Sequence, residues 1–215
     1  MALLTIQNLS LGYESRAIVE NLNFTVNEGQ YLCIVGENGS GKSTFVNYLL
    51  THYGDFELSV SATSRSPRGK ERNGVEYYFL TPEEFTQKID NDEFVEYEQV
   101  YAGLYYGTLK SEIERIEANN HHVIFDVDVK GGVNLKRKFG DDALSVFIQP
   151  PSVAALRERL KGRGTDSEEM IEKRIAKSEY ELTFANQFDE IIVNDDLDTA
   201  LKELIDLLQT KHIIQ

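Results

Sequence analysis

Gly36-Glu37-Asn38-Gly39-Ser40-Gly41-Lys42-Ser43-Thr44 is the stretch whose reading decides the fold. Gly36, Gly41, Lys42 and Ser43 fill every fixed position of the pattern GxxxxGK(S/T). Before it, Tyr31-Leu32-Cys33-Ile34-Val35 is an apolar run of strand length; after it, Phe45, Val46, Leu49 and Leu50 fall at helical spacing. A glycine-rich turn between a strand and a helix cradles phosphate, because its backbone N–H groups point inward and the positive end of the helix adds to their field. The whole loop, including Glu37, Asn38, Gly39, Ser40 and Thr44, is therefore expected to wrap the phosphates of a nucleoside triphosphate. Lys42 reaches the β- and γ-phosphates, and the Ser43 hydroxyl is the expected Mg²⁺ ligand.

Composition narrows what surrounds that loop. The chain has 215 residues and a net charge of −14. The length suits one α/β domain with small mobile subdomains, large enough to bury a core without staples. The acidic balance argues against a nucleic-acid partner, whose phosphates need a basic face. The single cysteine, Cys33, sits in the strand before the loop and cannot form an internal disulfide. It reads as a small buried hydrophobe, in keeping with a reducing, cytoplasmic location. No apolar run approaches about 18 residues, so no membrane span is expected, and the N-terminus lacks the pattern of an export signal. His121-His122 lies in a polar stretch and reads as solvated loop.

Val123-Ile124-Phe125-Asp126, Leu144-Ser145-Val146-Phe147-Ile148 and Ile191-Ile192-Val193 are short continuous apolar runs, as parallel strands buried on both faces require. Helical signals lie between them. Thr81-Pro82-Glu83-Glu84 is a capping box with proline at the first helical position. Ser152 can cap a helix after Pro150-Pro151, and Leu197, Leu201, Leu204, Ile205 and Leu208 form a helical stripe. Strands alternating with helices predict a P-loop α/β fold, a parallel sheet flanked by helices. Residues 3–7 and 19–26 partly alternate and predict an additional N-terminal β-hairpin within residues 1–28. Two stretches read as lobes carrying polar function on flexible joints, residues 59–110 and 152–184. In the first, Arg65 and Arg68 stand three residues apart around Pro67, a fork for a dianionic phosphate, and Tyr77 adds a hydroxyl donor. The second holds Arg157, Arg159, Arg163 and Arg174 around Gly162 and Gly164.

Ser61-Ala-Thr-Ser-Arg-Ser-Pro-Arg68, Asn73-Gly-Val-Glu-Tyr-Tyr-Phe79, Tyr105-Tyr-Gly-Thr108 and Phe125-Asp-Val-Asp-Val-Lys-Gly-Gly132 resemble the motifs of the guanylate kinases. So do Ile148-Gln-Pro-Pro-Ser152, Gly162-Arg-Gly-Thr-Asp166 and Val193-Asn-Asp-Asp196. The likeness runs in family order over residues 29–215 and implies transfer of the ATP γ-phosphoryl group to GMP, with Mg²⁺, giving ADP and GDP. By that resemblance Glu96 accepts the two N–H donors on one edge of guanine, beside Ser61 and Thr108. Arg65, Arg68, Tyr77 and Tyr106 clamp the GMP phosphate. Asp126 stands near GMP and the metal, Arg159, Arg163 and Arg174 close over the transferring group, and Asn194 lies beside the ATP adenine. Adenine lacks the paired donors that a buried Glu96 would demand, so AMP is rejected.

Residues before the loop resemble something else. Leu3-Leu-Thr-Ile-Gln-Asn-Leu-Ser-Leu-Gly-Tyr13, Asn21-Leu-Asn-Phe-Thr-Val-Asn-Glu-Gly29 and the loop itself are similar to the opening of an ATP-binding-cassette ATPase, in which the position of Tyr13 stacks on adenine. The guanylate kinase loop commonly carries Pro and Ser where Glu37 and Asn38 stand. That resemblance covers residues 1–44 and stops there, with no LSGGQ-type signature after it. The reading at this point is a join of two P-loop families, by fusion or as a chimera. Alternatives to the kinase are a cassette-type ATPase fragment and a non-catalytic guanylate-kinase-like module; the expected small-molecule partners are ATP and GMP, and oligomeric state is left open.

Overall fold

Continuous apolar runs require a strand to be covered on both faces. The runs at 123–125 and 146–148 meet that requirement, whereas in the run at 191–193 only Ile192 is buried, because that strand forms the sheet edge and leaves Ile191 and Val193 exposed. A computed structural model describes residues 2–13, 16–27, 31–36, 39–101, 103–162 and 167–214, with backbone alone for 2–27 and Tyr101. β1 (Ala2–Tyr13) and β2 (Arg16–Asn27) pair antiparallel with each other. β3 (Tyr31–Gly36) leads through the glycine-rich turn to α1 (Lys42–His52) and β4 (Phe56–Leu58). The chain then leaves for a second unit: β5 (Ala62–Thr63), β6 (Tyr78–Phe79), α2 (Pro82–Asp90), β7 (Phe94–Tyr101) and β8 (Leu104–Leu109). It returns through α3 (Lys110–Glu117), β9 (His122–Val127), α4 (Val129–Phe139) and β10 (Ala143–Gln149). The helix pair α5 (Val153–Gly162) and α6 (Glu168–Leu182) precedes β11 (Glu190–Val193) and α7 (Leu197–Thr210).

The core sheet is parallel, in the order β11-β10-β3-β9-β4. Because side chains alternate along a strand, Leu32 and Ile34 of β3 face one layer and Cys33 and Val35 the other. The first layer joins them to Phe45, Val46 and Leu49 of α1 and Ala200, Leu204 and Leu208 of α7. The second joins them to Ile113 and Ile116 of α3 and Val129, Val133 and Leu135 of α4. Each fully buried Leu, Ile or Phe contributes roughly 1.5–3 kcal/mol. Cys33 is 0% exposed, and burial pushes its thiol far above the ordinary range, so it packs as an inert hydrophobe.

The second unit is a four-stranded sheet, β6-β5-β8-β7, over a small core of Ala62, Phe85, Phe94 and Leu109. Thr81 and Glu84 cap α2 reciprocally, at 3.1 and 2.7 Å. The Ser152 hydroxyl accepts from Ala155 N–H at 3.1 Å as α5 begins. The α5–α6 pair has its own cluster of Leu156, Leu160, Ile171 and Ile175.

Two local expectations need correction. His121-His122 is not a solvated loop: His122 opens β9, its N–H donating to Asp55 O at 2.7 Å, and His121 Nδ1 lies 3.0 Å from Glu57 Oε2. Leu197 does not join the buried stripe of α7; it is 38% exposed, as the first helical residue after the Asp196 cap.

Candidate active site

The carboxyl ends of parallel strands gather ligands, because loops and helix N-termini converge there. Register places Gly36 opposite Ile148 and Val35 opposite Val127, so β3, β9 and β10 end side by side. A Cβ on Gly36, at φ +153°, would stand 2.3 Å from Ile148 O; one on Gly41, at φ +101°, would stand 2.3 Å from Asn194 Nδ2. Only glycine lets the turn pass this close to its neighbours. Lys42, the first residue of α1, donates to Val127 O at 2.8 Å and pairs with Asp126 Oδ1 at 2.9 Å. Ser43 and Thr44 follow on the exposed side of the same first turn. Ser40 is buried, its carbonyl held by Asn194 Nδ2 at 2.6 Å.

Across from the turn, the four-stranded sheet presents side chains. Arg65 stacks over the Tyr77 ring at 4.8 Å, and Tyr106 meets Tyr77 edge-on at 5.9 Å and lies within electrostatic reach of the guanidinium. Arg65, Tyr77 and Tyr106 thus form one cluster, and Arg68 lies beside it on the same loop with its side chain exposed. Burial raises the Tyr77 phenol, which also feels the Asp126 carboxylate. Asp126, already paired with Lys42, is thus also within electrostatic reach of this cluster.

Glu96 of β7 is opposite Thr108 of β8, and the Thr108 hydroxyl donates to Glu96 Oε1 at 2.9 Å. Burial pushes the Glu96 carboxyl up to about 7; the Thr108 bond pulls it back, while Asp128 and Glu98 add to the rise. The pocket around Glu96 touches α4, since a Cβ on Gly131 would lie 3.6 Å from Glu96 Oε2. Lys130 of α4 reaches Glu98 of β7 at 2.7 Å, a direct bond between core and lobe. Ser61, at the joint entering β5, is half-buried and accepts Tyr78 N–H through its carbonyl at 2.9 Å.

Arg159 of α5 donates through Nη2 to the carbonyls of Asn194 and Asp195, at 2.8 and 3.2 Å. That geometry ties α5 to the segment after β11, the same segment whose Asn194 side chain holds the turn. Arg174 lies on α6. Arg163, Glu37 and Asn38 lie outside the described residues, as does the side chain of Tyr13.

Of three further carboxylates, Asp128 is one the sequence marks for a capping or orienting role, while Glu112 and Glu181 escaped the sequence reading. Asp128 caps α4 by accepting Gly131 N–H at 2.9 Å, a role its place before Val129-Lys-Gly-Gly suggests. Glu112 is 2% exposed yet accepts from Val60 N–H, Tyr78 OH and Arg115, pinning both chain crossings into the lobe; an isolated Glu on a helix gives no such signal. Glu181 of α6 is buried, its carboxyl raised by burial, within electrostatic reach of Lys177, Asp128 and Lys42. Among the described residues no group of three or more His, Cys, Asp or Glu could by itself hold a metal, and no helix is long and apolar enough to cross a membrane.

With the geometry in hand, known proteins supply the context. The sequence model of the family described as Guanylate kinase matches residues 28–211. A guanylate kinase from Bacteroides thetaiotaomicron is 53% identical over 193 residues, covering 89% of this chain and 95% of that protein. One from Porphyromonas gingivalis is 54% identical over 177 residues, covering 80% of this chain and 93% of that protein. Among solved structures, a guanylate kinase from Anaplasma phagocytophilum superposes with a TM-score of 0.67 at 26% identity, covering 87% of this chain and 88% of that one. These matches overturn the cassette reading of residues 1–44 and with it the join of two families. The matched span begins at residue 28 and runs unbroken through the loop, which is therefore part of the same single domain as everything after it. Glu37 and Asn38 misled because they occupy positions the phosphate cradle leaves free, where the backbone and not the side chain does the binding.

Proposed function

Because the chain belongs to the guanylate kinase family and so transfers a phosphoryl group from ATP to GMP, we propose that its two sheets divide the two nucleotides between them. The turn from Gly36 to Thr44 takes the ATP phosphates. The four-stranded lobe, within residues 59–110, takes GMP, and the α5–α6 pair, within residues 152–184, is the lid. The observation that carries this reading is the Lys42–Asp126 pair at the end of the core sheet, with the Arg65–Tyr77 stack of the lobe within electrostatic reach of the same carboxylate.

Each residue then has a physical task. Glu96, ionised, accepts the two donors of guanine, with Thr108 holding the carboxylate and Ser61 beside the base. Arg65, Arg68, Tyr77 and Tyr106 fix the acceptor phosphate. Its attacking oxygen is already ionised near neutral pH, so no general base is needed, and the remaining work is alignment and neutralisation of moving charge. Lys42, Arg159, Arg163 and Arg174 supply that positive field. Asn194 fixes the turn at Ser40 and borders the adenine site. Ser43 and Asp126 offer a hydroxyl and a carboxylate oxygen, hard ligands that suit Mg²⁺ arriving with ATP phosphates. Bound there, Mg²⁺ would neutralise charge on the β- and γ-phosphates. Closure of the lid excludes water, which would otherwise accept the phosphoryl group. A cytoplasmic site of action belongs to this reading, supported by the lone buried Cys33.

The test is ADP formation with GMP, AMP or CMP as acceptor. Turnover should depend on GMP. ADP formed equally without any acceptor, or with AMP as readily as GMP, would count against the reading.

A further inference from the structure

Arg65 is held from two sides before any nucleotide arrives. Nη1 and Nη2 donate to Glu71 Oε2 and Oε1 at 2.6 and 2.8 Å, a two-bond fork on the end of the guanidinium. The same carboxylate accepts the backbone N–H of Arg68 at 2.7 Å. The guanidinium lies over two neighbouring aromatic rings, 4.8 Å from Tyr77 and 5.5 Å from Phe79. Its Nε is buried with no hydrogen-bond partner among the described residues.

A carboxylate on the end of a guanidinium leaves the side edge, Nε–H and the second hydrogen of Nη2, for another oxyanion. A buried donor left unpaired is costly, so it marks a place where an acceptor belongs. Resting on the reading that Arg65 and Arg68 clamp the acceptor phosphate, we propose that Glu71 is the positioning residue of that clamp. It takes the end of Arg65, turns the side edge toward the phosphate, and fixes the Arg68 backbone so that both arginines are placed beforehand. A carboxylate that instead competed with the phosphate would occupy the side edge too, and it does not. The Arg65 bonds, with the Arg68 N–H, hold the Glu71 carboxyl down at about 2, so the fork persists across the working pH range. Pre-placement spares the nucleotide the entropy of ordering two long side chains.

The experiment compares Glu71→Ala, Glu71→Gln and Glu71→Asp with the parent, varying GMP and ATP in turn. Calorimetry adds the Kd of guanosine, which carries no phosphate. Glu71→Ala should raise the GMP KM about tenfold, leaving the ATP KM and the guanosine Kd within about twofold. Glu71→Asp, which keeps the charge, should recover more than Glu71→Gln. An unchanged GMP KM overturns the proposal, and so does a lowered one, which would make Glu71 a competitor. A guanosine Kd that rises in step with the GMP KM overturns it as well, because the residue would then merely support the lobe. Arg65→Ala separates the two layers of inference. If Arg65→Ala leaves the GMP KM unchanged, the clamp reading itself fails. If it impairs GMP while Glu71→Ala does not, only the positioning role fails.

Discussion

The turn from Gly36 to Lys42 is made largely of backbone, whereas the lobe facing it is made of side chains, and the two tolerate change in opposite ways. In the turn, missing side chains matter: Gly36 and Gly41 leave no room for a Cβ, and their neighbours are a carbonyl and an amide already engaged. In the lobe, side chains crowd together with their own needs partly unmet. Glu96 is half-buried with one side-chain donor, and the Arg65 Nε has none among the described residues. A triphosphate is the same on every donor nucleotide, so a rigid backbone cradle suffices. An acceptor must be told from its relatives, and that takes specific groups whose cost is recovered when the right partner binds.

The largest effect should come from the backbone half. Gly41→Ala forces a Cβ to 2.3 Å from Asn194 Nδ2 at φ +101°, and kcat should fall about 1000-fold with the lobe's affinity for GMP intact. Steady-state ATP kinetics alongside GMP binding would check it; near-parent turnover would break the contrast. Next, Glu96→Gln keeps the size but supplies a donor where guanine also donates, so kcat/KM for GMP should drop about 100-fold, with the ATP KM within about twofold. The same substitution has a pH signature. The free carboxyl is pushed up to about 7, and on the proposed role for Glu96 only its ionised form accepts guanine, so the parent's kcat/KM for GMP should decline as pH falls through that value. The GMP phosphate titrates nearby, at about 6, so the informative quantity is the part of this limb that vanishes in Glu96→Gln.

A smaller effect appears in stability, and its sign is opposite. A carboxyl raised on folding favours the folded state at low pH and penalises it as pH rises from the unfolded value, near 4.5, through about 7. Glu96→Gln should therefore stabilise the nucleotide-free protein by about 2 kcal/mol at pH 8, with the gap closing toward pH 5. Denaturant melts at both values measure it; a destabilised variant at pH 8 would mean that Glu96 is better solvated than its burial implies. The smallest effect belongs to the bond between core and lobe. Lys130 is 53% exposed in its pair with Glu98, so Lys130→Ala should cost about 0.5 kcal/mol or less in thermal melts.

The core was more legible than the lobe for the same reason that their substitutions differ. β3, β9 and β10 announced themselves because strands covered on both faces are nearly all apolar, and the loop because its glycines are irreplaceable. The apolar run of β11 was also legible, although at the sheet edge only Ile192 of it is buried. The short strands β5 and β6 carry two residues each, too few for any periodicity to register. Glu112 and Glu71 were silent because a carboxylate's importance lies in which donors reach it, and those come from residues far along the chain or from around a turn. The N-terminal segment misled in the other direction: partial alternation and a loop with two free positions resembled a second family that the match over residues 28–211 excludes.

What the sequence determined by itself was the phosphate cradle, the parallel α/β core and, through motifs in family order, the kinase. Those depend on local backbone chemistry and on periodic burial, both of which are written along the chain. Only the tertiary structure decided that Asp126 pairs with Lys42 of the turn, that Asn194 and Arg159 join α5 to the turn, and that Glu71 rather than solvent holds Arg65. Those are encounters between charged or polar groups on different elements. Their strength depends on distance and burial, and no residue carries either until the chain has folded.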